Sequence, residues 1–461
     1  MREPSAISKK ISIIRSGESI GTQTGARFID DYVVELTIME SLNSHTIEMV
    51  MVLEDYAGLA TTLTGTELYK VEISTINSDR TYYMRAVGYE SKIRDGRGSE
   101  AYVIRCFSDE YFKNEGRYVF GHTQVLFGEN AEASNIIRTL MKDKKYLNSA
   151  KKVYAEETLN YHSAVCPGWR PFELIRFLSE RSYRKGKPIT KDKLQSGFQF
   201  FENGMGYQFM SIDKMIEDIK NADLNKPTNP KTGYAALYEY GLQPKSNQDG
   251  MDGPGSDYFS LEGFSILEEG NLFRRMREGL FSGYSIGFDP VSLKSSQIGL
   301  SADMPSSAFE YNVKDIWKQM EHLDGRQGRN PSNVIDSGIK DYVDSPRRVR
   351  YNVIPNNIFD SRNNVNTLNY SQISLLDTYD YVRRSTLKNI IAKAKMPGNL
   401  DLYAGKGIKI KIPNVLVNPQ SRFRDNDPQY SGRYLISDVT HFIKGNEMTT
   451  TLELRRDSFP T

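Results

Sequence analysis

The 461-residue chain has little cysteine and no excess of either charge. Its two cysteines, Cys106 and Cys166, are too few for a disulfide framework or a four-cysteine metal site. We expect each to be a small buried apolar residue. The 60 Lys and Arg residues nearly balance the 58 Asp and Glu residues, which argues against a strongly basic nucleic-acid binder and against an acidic tail.

Long apolar runs are also missing. No stretch approaches the roughly 20 apolar residues that a membrane span needs. Residues 1–10 are polar and lack the apolar core of a signal peptide. Together with the scarce cysteines, these features predict a protein that is made and folded in a reducing cytoplasm.

Aromatic residues are plentiful, with 28 Tyr and 21 Phe, and a Tyr-rich composition is typical of β-rich chains. The length suggests about three domains. Within residues 1–117, apolar and polar residues alternate with period two between polar turns, which predicts an antiparallel β-barrel or strongly curved sheet. Each of three sets of residues is expected to share one face of a strand: Tyr32, Val34, Leu36 and Ile38; Ile47, Met49, Met51 and Leu53; and Tyr83, Arg85, Val87 and Tyr89.

Residues 118–224 predict a mixed helix and hairpin domain. Apolar residues at helical spacing from Ala133 to Met141 indicate one helix, and Pro171 suits the first turn of a second. Alternating aromatics around Asn203-Gly204 indicate a β-hairpin between Phe198 and Phe209. A short helix at 212–219 follows.

Residues 225–258 are rich in Pro, Gly, Asn and Asp and are predicted to be a linker or a long surface loop. Residues 259–461 predict a second β unit with an irregular insertion at about 324–370. Its expected strands contain Ile408, Ile410 and Ile412, then Tyr434, Ile436 and Phe442 on one face, then a partner strand from Thr449 to Leu454.

The two β units repeat one order of features. A glycine (Gly65 or Gly405) precedes an alternating strand, a second strand begins near Arg80 or Arg433, and a third strand closes at Ser108 or Ser458. Few residues are identical, so two barrels of common design and two unrelated β units both remain open. A duplicated unit would let a ring of n chains present 2n near-equivalent faces.

Two C-terminal stretches resemble a known signature. Residues 397–413 (PGNLDLYAGKGIKIKIP) and 431–442 (SGRYLISDVTHF), with 448–454 (MTTTLEL) after them, resemble the central hub proteins of myophage baseplates. The resemblance is looser to phage late-control proteins and to the hub part of type VI secretion spike proteins. Residues 171–175 (PFELI) and the following hairpin resemble the helix-plus-hairpin domain of that family. The resemblance covers most of the chain and is weakest over 225–258 and 324–370.

The resemblance implies a β-rich α+β fold with two tube-type antiparallel β-barrels and the mixed domain between them. It implies a homotrimer that forms a pseudo-sixfold ring in the virion baseplate, joining the sixfold tail tube to the threefold spike. The implied partners are the tail tube and spike proteins, with the tape measure and other baseplate proteins as further contacts. DNA would meet the chain only by passing through the lumen, and assembly would take place in the host cytoplasm.

No catalytic, cofactor-binding or metal-binding residue is predicted, no cofactor is implied, and the interface residues are unassigned. The five histidines (His45, His122, His162, His322 and His441) show no metal-ligand spacing. Gly283-Tyr284-Ser285-Ile286-Gly287 fits the nucleophile-elbow motif, but the alternation continues through it and Asp289-Pro290 replaces the helix that an elbow requires. We therefore expect a plain strand there.

Three further interpretations stay open at this stage. Ala404-Gly405-Lys406-Gly407 is expected to be a turn, with a phosphate cradle as the alternative. The basic run 347–350 is expected to be a solvated face or to form ion pairs within the subunit, with contact to an acidic partner or to DNA as the alternative. At the level of function, the alternatives to a structural hub are a tail-associated cell-wall hydrolase and a glycan-binding tail module.

Overall fold

The structure is a computed structural model, and it describes residues 5–15, 18–20, 28–76, 78–94, 98–128, 131–159, 161–185, 195–242, 259–289, 294–295, 309–324, 330–345, 348–353, 370–414 and 426–458. Much of the predicted linker (243–258), much of the predicted insertion (325–329 and 354–369) and Arg347 of the basic run lie outside the described residues.

The N-terminal part consists of strands β1 (Ser8–Arg15), β2 (Glu18–Ile20), β3 (Val33–Ser41), β4 (Glu48–Asp55), β5 (Leu68–Ser74), β6 (Asp79–Arg94) and β7 (Glu100–Ser108), which we name the first β unit. The middle segment contains α1 (Asp109–Glu115), β8 (Val119–Gly121), α2 (Gln124–Phe127), α3 (Ala133–Lys142), β9 (Val153–Ala155), β10 (Cys166–Trp169), α4 (Pro171–Ser179), β11 (Phe198–Asn203), β12 (Gly206–Ser211) and α5 (Ile212–Lys220).

The remainder contains β13 (Tyr238–Gly241), β14 (Gly263–Glu269), α6 (Leu272–Glu278), β15 (Ser282–Asp289), β16 (Lys294–Ser295), β17 (Phe309–Asn312), α7 (Val313–Trp317), α8 (Lys340–Asp344), β18 (Arg348–Val353), α9 (Tyr370–Thr386), β19 (Ile390–Pro397), β20 (Gly407–Lys411), β21 (Gly432–Lys444) and β22 (Glu447–Arg456). We name β13, β14 and β19 to β22 the second β unit. No described helix is both long enough and apolar enough to span a bilayer.

Thirteen strands form one large sheet that runs through both β units. Its order is β14-β19-β22-β21-β3-β4-β7-β6-β5-β1-β2, and the pair β13-β20 branches from β21. All neighbours are antiparallel except β13 and β20. The β-rich α+β class predicted from the sequence is confirmed.

Neither unit closes into a continuous barrel among the described residues, because the strand path ends at β14 and at β2. Each unit nevertheless curls until its ends approach. In the first unit the Ile29 backbone N–H donates to the carbonyl of Ile11 at 2.8 Å. In the second, the Leu261 N–H donates to the carbonyl of Gly241 at 2.9 Å. Each curled unit encloses an apolar core, to which α5 contributes in the second unit and Leu400, Ile443 and Met448 contribute in the first.

Bulges correct the strand faces that alternation alone predicts. Tyr434 and Ile436 are buried as expected, but Phe442 is on the outer face because the register of β21 shifts between Ile436 and Asp438. Val34 is likewise exposed, and Val33 is buried, at a bulge in β3. One extra residue in a strand reverses the direction of every later side chain, so the predicted single faces were wrong at these points.

The middle segment has the predicted helices and hairpin. Phe198 and Phe209 stack at 4.8 Å between ring centroids, and β12 adds the parallel strand β9. Helices α3 and α4 bury their apolar faces in the same core. The turn lies one residue later than predicted, since Asn203 pairs with Gly206.

Part of the predicted linker is a strand. Residues 238–241 form β13. Tyr240 on this strand is fully buried and packs into the core of the second β unit. Strand β13 has only four residues, all paired with β20, and four residues are too few for period-two alternation to be recognised in the sequence. The insertion also contains order, because α8 and β18 both lie within 324–370.

A buried ion cluster fixes α9 against the rest of the chain. The fully buried Arg383 lies 3.1 Å from the Asp457 carboxylate through Nη1 and 3.3 Å from Asp213 through Nε. Tyr379 donates to the other Asp213 oxygen at 2.8 Å, and Nδ1 of His322 lies 3.1 Å from Asp457. Three distant parts of the sequence therefore share one guanidinium.

Arg383→Met tests this cluster. The change leaves two carboxylates buried without their cation, and loss of one partner of a buried ion pair costs about 3–5 kcal/mol. We expect that loss in the free energy of unfolding, measured by urea denaturation. Arg176→Met, at an exposed guanidinium on α4, should change it by less than about 0.5 kcal/mol. Equal effects of the two substitutions would contradict the assigned role of Arg383.

Candidate assembly interface

The two β units are joined by an antiparallel ladder between β3 and β21, which we name the junction. It runs over seven residue pairs, from Ser41 opposite Asp438 to Glu35 opposite Lys444. On the inner side, Ile38 and Ile443 are fully buried in the core of the first unit. The backbone of one chain thus makes two curled sheets continuous.

His441 lies within the junction and serves packing. It is fully buried, and Nδ1 lies 3.0 Å from the hydroxyl of Thr450 on β22. Burial, with a smaller contribution from the Arg80 charge, lowers the pKa of His441 to about 3. The imidazole is therefore neutral at physiological pH.

Glu40 fastens the end of β3 to two other parts of the chain. The Gly204 backbone N–H, in the β11–β12 turn, donates to Oε1 at 2.7 Å. The Ala404 N–H, in the loop before β20, donates to Oε2 at 3.2 Å. The carboxyl is almost completely buried. First unit, middle segment and second unit therefore meet at one side chain.

Arg80 covers this contact. Its Nη2 donates to the hydroxyl of Tyr403, and its guanidinium carbon lies 4.5 Å from the centre of that ring. The guanidinium also lies directly over Gly204, where an added Cβ would meet Nη1 at 1.7 Å. Glycine at the tip of the hairpin is what lets Arg80 and Glu40 approach each other.

A second ionic group holds the middle segment on the start of β4. Lys151 Nζ lies 2.7 Å from Glu110 and 2.6 Å from Glu202. Glu202 in turn accepts the Ile47 backbone N–H at 3.1 Å. Both carboxylates are buried, so the lysine offsets charges that water cannot reach.

The two β units have the same strand order around their cores. In sheet order the first unit reads β1-β5-β6-β7-β4-β3 and the second reads β13-β20-β21-β22-β19-β14. Each position in one list corresponds to the same position in the other. The exception in direction is the first pair, since β1 and β5 are antiparallel and β13 and β20 are parallel.

A matching bulge strengthens this correspondence. In the first unit the register shifts between Ala86 and Gly88, opposite Cys106 and Arg105. In the second it shifts between Ile436 and Asp438, opposite Leu454 and Glu453. A bulge at one fixed place in both units is a shared structural feature that unrelated sheets have no reason to contain.

Comparison with solved structures places this fold among known ones. The prophage MuSo2 43 kDa tail protein from Shewanella oneidensis matches 98% of this chain and 100% of its own, at 10% identity and a TM-score of 0.50. The chain shares its fold with a phage tail protein. No family model matches the sequence, and no curated protein matches it.

Two other solved structures align over nearly the whole chain. A tail protein from Neisseria meningitidis MC58 covers 97% of this chain and 97% of its own, at 9% identity and a TM-score of 0.49. A type VI secretion system component from E. coli covers 97% of this chain and 77% of its own, at 11% identity and a TM-score of 0.41.

The nucleophile-elbow match is a plain strand, as expected. Strand β15 continues through Ser285, pairing with β17 on one side and with β18 on the other. Ser285 is fully buried and its hydroxyl has no hydrogen-bond partner among the described residues. A nucleophile must be exposed at a sharp turn beside a base, and Ser285 meets neither condition.

The remaining sequence candidates are separated in the structure. His45 stacks on Phe172, His122 lies 3.4 Å from the Ser163 hydroxyl, and the described residues contain no cluster of metal-ligating side chains. Lys406 is buried and donates to the Gly233 carbonyl at 3.0 Å, which occupies it inside the fold and leaves no phosphate cradle at that turn. Arg350 stacks over Tyr381 instead of facing solvent alone.

Glu40 should make stability depend on pH. Burial, partly opposed by Arg80, raises the pKa of the Glu40 carboxyl from 4.5 to about 7. The folded chain then holds this proton more tightly than the unfolded chain, so stability falls as pH rises between these values. We expect the unfolding free energy of Glu40→Gln to gain about 2–3 kcal/mol over that of the wild type between about pH 5 and about pH 8.

Glu67→Gln is the matched control. Although burial opposes it, hydrogen bonds from Thr64 and Arg15 lower the pKa of the Glu67 carboxyl to about 2. Its stability contribution therefore changes only at lower pH, and its curve should run parallel to that of the wild type over the measured range. A parallel curve for Glu40→Gln as well would contradict the assignment.

Proposed function

We propose that this chain is a structural component of a phage contractile-tail baseplate, acting as the central hub. Three copies form a ring that joins the sixfold tail tube to the threefold spike. In this proposal, residues 1–117 and 259–461, together with β13, are two tube-type β-barrels, and 118–224 is the mixed domain. The partners are the tube protein on one side and the spike on the other, in the virion.

The observation that carries the proposal is the repeated β unit and its junction. Both units have the same strand order and the same bulge, and they lie side by side in one continuous sheet. Three chains would therefore present six related units, which is what a sixfold tube requires of a threefold adaptor. The shared fold with a phage tail protein supports the same assignment.

The role needs no chemistry beyond interface geometry. The described polar clusters are engaged in holding parts of the chain together, as at Glu40, Lys151 and Arg383. An obligate ring interface is expected to bury well over roughly 2,000 Å². Such a chain acts by fixing the relative positions of its neighbours.

Light scattering coupled to size exclusion tests the trimer. We expect a particle with three times the chain mass of 52.6 kDa, and a ring in electron micrographs. Because an obligate interface couples folding to assembly, dilution should lower the melting temperature. A stable monomer at every concentration, together with a tail tip that lacks a ring of this chain, would refute the proposal.

Zymography on peptidoglycan separates the hub from a cell-wall hydrolase. We expect no clearing by the purified chain, because Ser285, the serine of the nucleophile-elbow match, is buried within the continuous strand β15. Clearing that is lost in Ser285→Ala and retained in Ser282→Ala, a matched serine on the same strand, would overturn the non-enzymatic assignment.

A further inference from the structure

We propose that the open edge of β14 in one copy pairs antiparallel with the second half of β6 (residues 88–94) in a neighbouring copy, repeating the junction between chains. The inference rests on the proposed ring and identifies the surfaces that close it. Within one chain the repeated unit occupies some edges of the described strands and leaves others open.

Strand β21 shares one edge between two partners. Its first part, Gly432 to Leu435, pairs with β20 of its own unit. The later part, from Asp438 to Lys444, leaves β20 behind and pairs with β3 of the other unit. The bulge after Ile436 marks the change of partner.

Strand β6 is the counterpart of β21. Along one edge its first half has a partner strand, but its second half has none among the described strands. Its first part pairs with β5 as far as Arg85, and the Ala86 N–H donates to the Glu67 carbonyl at 2.9 Å. Beyond the bulge, residues 88–94 pair with β7 on one edge only, with a second register shift between Glu90 and Ile93 that β21 lacks. Among the described strands, none occupies the other edge.

Strand β14, the counterpart of β3, is the matching half. One edge of β14 pairs with β19, with a register shift between Ile266 and Glu268, and no described strand pairs with the other edge. In contrast, β3 has β4 on one side and β21 on the other. Thus the chain contains one complete junction and the two separate halves of a second.

Both open edges expose apolar side chains. Ile93 on β6 is 68% exposed and Leu267 on β14 is 55% exposed. An open edge with large apolar residues is a site of uncontrolled strand pairing unless another strand covers it. Since the two halves lie in different units of the same chain, they cover each other only between copies.

The repeat also fixes the register. Phe442 faces Thr449 on β22 and Thr37 on β3. When the two units are matched strand by strand, Ile93, which pairs with Ala101 on β7, is the counterpart of Phe442. Ser265, which pairs with Lys393 on β19, is the counterpart of Thr37. The second junction therefore places Ile93 of one copy opposite Ser265 of the next.

The register brings few charges together. Lys92 and Arg94 on the β6 half pair with Glu100 of their own chain and lie toward Ile266 and Phe264, away from Glu268 and Glu269 at the end of β14. Glu90 falls opposite Glu268, but each already has a cation on its own chain, with Arg105 at 3.5 Å and Arg274 at 3.2 Å. The like-charged pair is thereby offset.

Each copy offers one β14 edge and one β6 edge, so the contact is head-to-tail. Such a contact closes into a ring when its rotation is a whole fraction of a turn and otherwise grows into a filament. The proposed trimer requires closure after three copies.

Disulfide trapping tests the pairing. Residues opposite each other in an antiparallel ladder have Cα atoms about 4.5–5.5 Å apart, within disulfide range. The full chain with Ile93→Cys and Ser265→Cys should give, on mild oxidation, a covalent trimer on non-reducing gels. A mixture of the two single variants should give only dimers. Native Cys106 and Cys166 are buried and can stay.

Tyr83→Cys with Ser265→Cys is the matched control. Tyr83 is also exposed on β6, but lies in the half already paired with β5, so no cross-link is expected. Trimers in light scattering without the Ile93–Ser265 cross-link would overturn the pairing and leave the proposed ring intact. Monomers without a cross-link would overturn both, and a covalent ladder beyond three copies would keep the pairing and refute the trimer.

Discussion

The ladder between β3 and β21 is the contact on which the rest of the molecule depends. It pairs residues about 400 positions apart in the chain, such as Ser41 and Asp438, and so converts two curled sheets into one sheet of thirteen strands. Backbone hydrogen bonds set the angle and offset of the two units, which side-chain packing alone would fix less strictly. The middle segment, which lies between the units in sequence, packs apolar side chains of α5 against the core of the second β unit.

The middle segment is accommodated by buried polar groups placed beside the ladder. Glu40 is the next residue but one after Ile38 of the junction, and it holds the hairpin tip and the loop before β20 together. Arg80 and Lys151 offset the charge that burial would otherwise penalise. Such groups favour one arrangement of three parts over others, because a shifted arrangement would leave buried charges unpaired.

Much of this fold follows from sequence pattern. Period-two alternation located β3, β4, β6, β7, β20, β21 and β22, and helical spacing located α3, α4 and α5. The bulges could not be predicted, since a residue that is looped out has no distinctive side chain, and so the faces of Val34 and Phe442 were reversed. Strand β13 was missed because four residues carry too little periodicity.

The junction itself and the Glu40 contact were also beyond sequence reasoning. They bring together residues hundreds of positions apart; Glu40 stands in no recognisable motif, and Asn203-Gly204 predicts a turn but not its partner. The repeated order of features was visible, but its meaning required knowing which edges are occupied. Only the paired strands show that one chain contains a finished junction and the two halves of another.

The most direct measurement of the central claim is a cryo-EM reconstruction of the assembled tail tip at a resolution that separates strands. We predict a ring of three chains in which β14–β6 ladders between copies alternate with β3–β21 ladders within copies, giving six junctions. A ring whose chains meet through other surfaces, with the edges of β14 and β6 left open, would contradict it.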